Sequence, residues 1–239
     1  VAVTDQLVLG LGGGYAADNV RSKDDSARTK IDSYQGNLYG SYSQGAFYLE
    51  GLGSAAYNQY DASRNIRFGT VDRQPTSNYG GQQYSAYAES GVAVQNSGLE
   101  WTPLISILYS YLHLNGYTES DAGSLSLKVE EQSYDLLQSG AGIKVSQRRP
   151  GANYTLIPEA HFKWLYDCIS SAQQATSAFT GGGAAFDTKA VRPARSGYNV
   201  GTKLSFLNKK NTTFSFNYDL ELRESYYSHS GYANVRYEF

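Results

Sequence analysis

Apolar and polar residues alternate along this chain over runs much longer than a soluble sheet ordinarily holds. From Thr213 to Arg223 one parity carries Phe214, Phe216, Tyr218, Leu220 and Leu222; the other carries Ser215, Asn217, Asp219, Glu221 and Arg223. The last segment repeats the pattern, with Gly231, Ala233, Val235, Tyr237 and Phe239 opposite Tyr232, Asn234, Arg236 and Glu238. From Tyr154 the apolar set is Leu156, Pro158, Ala160, Phe162, Trp164 and Tyr166, facing away from Glu159, His161, Lys163 and Asp167. Near Leu99 it is Trp101, Pro103, Ile105, Ile107, Tyr109 and Tyr111. A period of two residues is the signature of a strand with two unlike faces, and no useful stretch repeats at the helical period. The runs are about 11 to 20 residues long, at least roughly twice the usual 5–6.

An apolar face that ends in aromatics, with charges on the opposite face, matches the requirements of a transmembrane β-barrel. In lipid every backbone group must find a partner, so such a sheet is expected to close. The composition agrees: 22 Tyr and 25 Gly against 5 Pro in 239 residues favour sheet. No stretch approaches the 18 or so apolar residues of a membrane-spanning helix, which excludes a multi-helix membrane protein. A net charge of −2 gives no footprint for nucleic acid. The lone Cys168 excludes an internal disulfide and a cysteine-based zinc cluster. With no Met, the chain starting at Val1 reads as a processed product.

Ten strands are predicted, over 6–17, 32–42, 46–59, 81–95, 99–114, 128–147, 153–167, 194–207, 212–223 and 227–239. Long connections at 18–31, 60–80, 115–127 and 168–193, with a shorter last one at 224–226, alternate with short ones at Ser43–Gly45, Asn96–Gly98, Arg148–Gly151 and Asn208–Asn211. That alternation is expected of a barrel with external loops on one side and periplasmic turns on the other. The strand lengths, terminal aromatics and loop alternation disfavour a soluble sandwich. The fold expected is therefore all-β: a transmembrane antiparallel up-and-down β-barrel.

The inward parity is the candidate functional surface. It carries Glu89, Glu100, Gly140, Gly142, Lys144, Glu159, His161, Lys163, Lys203, Asp219, Glu221 and Arg236. Both signs are mixed, whereas a selective channel would show rings of one sign. Glycines on that face, from Gly10 to Gly14 and again at Gly140 and Gly142, are expected to border free space or to let another group approach the wall. The glycine run at 10–14 is not followed by a helix, so dinucleotide binding has little support. Three histidines, His113, His161 and His229, accompany no nucleophile-elbow motif. Asp24, Asp25 and Asp61 fall in expected loops without the spacing of a calcium-binding loop. No catalytic, cofactor or metal site is expected.

Several motifs in order carry a family resemblance. Gly10-Leu11-Gly12-Gly13-Gly14-Tyr15 is followed by Gly36-Asn37-Leu38-Tyr39-Gly40-Ser41-Tyr42 and Phe47-Tyr48-Leu49. Then come Trp101-Thr102-Pro103, Gly116-Tyr117-Thr118-Glu119, Ser139-Gly140-Ala141-Gly142 and the terminal Val235-Arg236-Tyr237-Glu238-Phe239. Together they resemble the C-terminal translocator barrel of the autotransporters, the type V secretion proteins. The resemblance covers nearly the whole chain.

The resemblance implies a bacterial outer-membrane unit that anchors and helps export an N-terminal passenger. It implies partners in that passenger, in the barrel-assembly machinery, and in lipids and lipopolysaccharide. Val235, Tyr237 and Phe239 would form the assembly signal, with the C-terminus on the periplasmic side. Barrels of the family have about twelve strands and a helix threading the pore. The first strand and a half and that helix are expected to lie outside residues 1–239, with Val1 to Val3 the tail of an earlier strand and Thr4-Asp5 its turn. Two other classes stay open: an outer-membrane enzyme such as a surface protease, and a plain porin or adhesin.

Overall fold

The computed structural model describes residues 3–171, 174–190, 194–208 and 212–237. Its main sheet is built from ten long strands: β1 (Leu7–Arg21), β2 (Ala27–Gln44), β3 (Phe47–Arg64), β4 (Thr76–Val92), β5 (Leu99–Leu114), β6 (Gln132–Ser146), β7 (Tyr154–Ser170), β8 (Ser196–Asn208), β9 (Thr212–Arg223) and β10 (Tyr226–Tyr237). Each pairs antiparallel with the next in chain order, giving an up-and-down meander. The sheet curls as in a β-barrel.

Among the described residues the sheet remains open. The outer edges of β1 and β10 pair with no strand among the described residues. The ten strands expected of this chain are present in up-and-down order, as one part of a larger barrel wall. Val3 adjoins the expected turn at Thr4-Asp5. It lies in a turn, its amide donating to the Leu7 carbonyl at 2.8 Å, while Thr4 Oγ1 accepts from the amides of Gln6 and Leu7. Val1, Ala2, Glu238 and Phe239 lie outside the described residues.

At the end with short connections the chain reverses tightly. Ser97 and Gly98 both hold positive φ, 53° and 80°, between Asn96 and Leu99. That pair of left-handed residues matches the natural twist of a hairpin. The opposite end, here the loop end, is more ordered than expected. The predicted loop at 18–31 is mostly strand, since β1 and β2 continue in register until Arg21 faces Arg28. Only Ser22 to Ser26 turn, held by Asp24 Oδ1 accepting from the Ser26 amide and hydroxyl. Segments of the long connections 115–131 and 171–195 pair into a second sheet, in the order Phe186–Lys189, Gln174–Phe179, Leu127–Val129, Tyr117–Thr118.

The two faces of the main sheet divide as their parity predicts. On the convex face Ile105, Phe162, Trp164, Phe214 and Phe216 are exposed. Leu220 shares that face, since its neighbours in register continue the same parity. On the concave face Leu104, Leu165, Thr102, Glu89, Ser205 and Ser215 are buried. An apolar outside and a polar, packed inside suit a wall whose solvent is lipid on one side and water on the other. Tyr15, Tyr34 and Tyr57 form a row near the loop end, and Trp101, Tyr154 and Tyr237 stand near the turn end. These are the two aromatic girdles at the membrane interfaces.

Candidate functional site on the lumen wall

Strand register carries the predicted residues onto one concave surface. Glu89 of β4 faces Ser106 of β5, which faces Gly140 of β6. Gly142, Lys144 and Ser146 pair with Lys163, His161 and Glu159 of β7. Glu159 then faces Lys203, and His161 faces Gly201, which faces Asp219 of β9. Glu221 shares the face of Asp219, Arg236 of β10 pairs with Thr213, and Glu100 opens β5 on the same face, where it accepts from Gln95 Nε2 at 2.5 Å.

Glu89 is the hub. Its side chain is 6% exposed. Oε1 accepts from the Tyr48 hydroxyl at 2.8 Å and from Lys144 Nζ at 3.1 Å. Oε2 accepts from the Tyr87 hydroxyl at 2.7 Å and also pairs with Lys163 Nζ. Lys144 Nζ lies 4.4 Å from the centre of the Tyr48 ring. Every lone-pair direction of the carboxylate is thereby used, which is the condition for burying a charge without a large penalty. Lys163 reaches from β7 to β4, so the hub ties β3, β4, β6 and β7 together across the intervening β5.

Two further polar groups lie on the same face. His161 Nε2 is 3.0 Å from Asp219 Oδ1 and 2.9 Å from Asn199 Oδ1. Nearer the loop end, Arg223 Nη1 donates to Asp167 Oδ2 at 2.6 Å, and its Nε to Glu221 Oε1 at 2.7 Å. Both partners of the Arg223–Asp167 pair are under 10% exposed, at 8% and 7%. Mixed, mutually satisfied charges of this kind give the lumen wall no excess of one ion sign.

The space expected beside Gly140 and Gly142 is already filled. A Cβ on Gly140 would meet Ser106 Oγ at 2.4 Å, and one on Gly142 would meet the Phe162 carbonyl oxygen at 2.3 Å. These glycines let neighbouring strands and Lys163 pack closely, and they do not border an empty bore. The same use recurs at Gly10, where a Cβ would fall 2.2 Å from the Tyr39 ring.

Tyr48, Tyr87, Asp167 and Arg223 belong to these networks but were absent from the predicted set. Arg223 stands at the same parity as Asp219 and Glu221, and Tyr48 at that of Glu50. Alternation already sets Asp167 and Arg223 on the polar parity, and the same signal could have placed Tyr48 and Tyr87 there. The cross-strand reach of Lys144 to Tyr48 and of Lys163 to Tyr87 could not be read from one strand at a time. The other histidines lie elsewhere: His113 Nδ1 bonds Ser133 Oγ at 3.0 Å, and His229 is level with Leu220 on the convex face.

A curled meander with an apolar convex belt, aromatic girdles and a polar inner wall is the architecture of an outer-membrane β-barrel. A family model described as "Autotransporter beta-domain" matches residues 1–219, and the chain belongs to that family. Its fold is that of the family's β-barrel domain. Outer membrane protein B of Rickettsia typhi is 22% identical over 252 residues, covering 98% of this chain but 15% of that protein. Among solved structures, the translocator domain of the autotransporter NalP from Neisseria meningitidis superimposes with a TM-score of 0.77 at 19% identity, covering 100% of this chain and 77% of that one. The beta domain of the Bordetella autotransporter BrkA gives 0.59 at 13% identity, covering 98% and 91%. The transport unit of AIDA-I from Escherichia coli gives 0.57 at 16% identity, covering 98% and 76%.

Proposed function

We propose that this barrel anchors an N-terminal passenger polypeptide in the outer membrane and provides its route to the cell surface. The observation that carries the reading is the lumen wall. Its central charges are paired and held at fixed places by the Glu89, His161 and Arg223 networks, while Glu159 and Lys203 beside them keep their bonding groups for the lumen. Such a wall offers hydrogen bonds to a passing backbone without trapping either sign of charge. The action is physical and assigns no catalytic residue.

Two edges left unpaired in lipid are untenable. Further strands of the full-length protein therefore close the gap between β1 and β10, giving a barrel of about twelve strands. The 23% of the NalP translocator chain beyond this match is consistent with that addition. The loop end lies outside the cell and the C-terminus on the periplasmic side. Val235 and Tyr237, on the convex parity of β10, join Phe239 as the signal read by the barrel-assembly machinery. The lumen contacts to the passenger come from Glu159, Lys203 and Arg236 beside the central networks.

Full-length protein tests the proposal. Surface display of the passenger, read by protease accessibility on intact cells, should fall when Phe239 is deleted, while barrel already inserted keeps its heat resistance. Normal display from the deletion would contradict the assembly role. A large, steady conductance with no passenger display would favour a porin.

A further inference from the structure

Beyond the tyrosine girdle, the convex face of β1–β4 stops being apolar. Tyr15, Tyr34 and Tyr57 form one row in register. Farther toward the loop end comes the row Asn19, Lys30, Asp61, Asn78, and then Arg21, Arg28, Ser63, Thr76. At ~3.4 Å per residue and ~40° of strand tilt these rows stand about 10 and 15 Å beyond the girdle. They border a cleft of 710 Å³ lined by Arg28, Lys30, Asp61, Asn78, Thr118 and Ser120. Its side wall is the segment after β5, fixed to the sheet by reciprocal backbone bonds between Thr76 and Ser120 of 3.2 and 2.8 Å.

We propose that this cleft binds the phosphorylated sugar headgroup of lipopolysaccharide in the surrounding outer leaflet. Lys30 is exposed and has no carboxylate in salt-bridge distance among the described residues. Arg28 uses only Nε internally, donating to Asn19 Oδ1 at 3.1 Å, so its two terminal nitrogens point to no partner among the described residues. The nearby acids are engaged. Asp61 accepts from Asn78 Nδ2 at 2.5 Å, and Asp32 accepts from the Tyr15 hydroxyl at 2.5 Å. Uncommitted cations beside hydroxyls of Ser63, Thr118 and Ser120 suit a phosphate carried on a sugar.

Position selects a lipid over a free anion. The cleft opens on the convex face, continuous with the belt that meets acyl chains. On the opposite part of the wall Trp164, Tyr198, Leu222 and Tyr227 form one register row on the convex parity, and the next paired row toward the loop end holds Tyr166 and Ser196, with no cation among these residues. Two cations with spare donors, Arg28 and Lys30, stand side by side along β2 at one cleft, as a headgroup site requires.

The inference rests on the outer-membrane reading, and the test separates the two. Full-length protein is reconstituted in nanodiscs of phospholipid with added lipopolysaccharide, and lipopolysaccharide retained per barrel is measured by mass spectrometry. Removing both cations with Arg28→Gln and Lys30→Gln should weaken retention by roughly thirtyfold. The charge-conserving pair Arg28→Lys and Lys30→Arg should retain it. So should Arg67→Gln with Arg73→Gln, which removes the same charge from the neighbouring hairpin. Equal retention by the double glutamine variant would overturn the site, as would equal binding of dephosphorylated lipopolysaccharide. Displacement by inorganic phosphate at the same molar concentration would make it a free-anion site and also overturn the proposal. Failure of the wild-type barrel to show heat-resistant migration would instead count against the membrane reading itself.

Discussion

The imidazole of His161 lies directly over Gly201. A Cβ at Gly201 would sit 2.3 Å from His161 Cε1 and 2.6 Å from Asp219 Oδ1. Glycine at this point of β8 is what allows a histidine from β7 and an aspartate from β9 to meet across it. Gly201→Ala should push the ring away and break its bonds to Asp219 and Asn199, costing about 1–3 kcal/mol as overpacking does. The loss should shrink in a His161→Ala background, because the two changes act on one contact. Thermal midpoints of the four proteins of this cycle, read by heat-dependent gel migration, provide the check.

Glu89 and Glu159 share the inward parity but differ in how they are held. Truncating Glu89 to Ala leaves Lys144 and Lys163 without their shared anion. Removing one partner of such a buried network costs about 3–5 kcal/mol. Glu159 is only partly buried and faces Lys203 across the register. Glu159→Gln should stay within about 0.5 kcal/mol of wild type. Comparing the thermal midpoints of Glu89→Ala and Glu159→Gln decides it; equal losses would contradict the hub.

Neighbouring residues of β9 should report opposite solvents. Phe216 is 56% exposed on the convex face, while Asn217 pairs with Lys203 on the concave one. A spin label at Phe216 should be quenched by lipid-soluble oxygen, and one at Asn217 by a water-soluble metal chelate. Equal water exposure at both would contradict the assignment of faces.

The number of strands and their inner and outer faces were legible because alternation is a local property. Phe214, Phe216 and Trp164 announce their face against Ser215, Asn217 and Lys163 within each strand. The loop-end structure was less legible. Residues 18–21 and 27–31 were read as loop because Asp18, Asn19, Arg28 and Lys30 look solvated. They are solvated, yet remain strand because β1 and β2 keep their ladder beyond the membrane belt. The Glu89 hub also depends on neighbours remote in sequence: Lys163 is 74 residues away. Alternation placed both on the inward face, but only the curl of the sheet brings them together. The spare volume beside Gly140 and Gly142 was misjudged for the same reason: Ser106 and the backbone of β7 come from other strands.

The loop end makes the last prediction, concerning alkaline pH. Tyr117 stacks on Tyr79 with ring centroids 4.2 Å apart, and Tyr79 on Tyr60 at 4.9 Å. Beside them Arg64 forms a paired bond to Glu119, with both nitrogen–oxygen distances 2.8 Å, and Glu119 also accepts from the Leu127 amide. This cluster fastens the second sheet to the main one. Burial raises the pKa of the Tyr117 phenol above its ordinary value of 10.0, and the Glu119 carboxylate adds to the rise. The folded state therefore prefers the neutral phenol. Its contribution is complete below the unfolded value near 10 and is lost as pH climbs through the higher folded value. Hydrogen exchange of the amides in 117–129 should accelerate above about pH 10 while those of β5 stay protected. Tyr117→Phe keeps the stacking and removes the ionisation, so it should blunt this acceleration. An unchanged alkaline profile in that variant would show that another group opens the sheet.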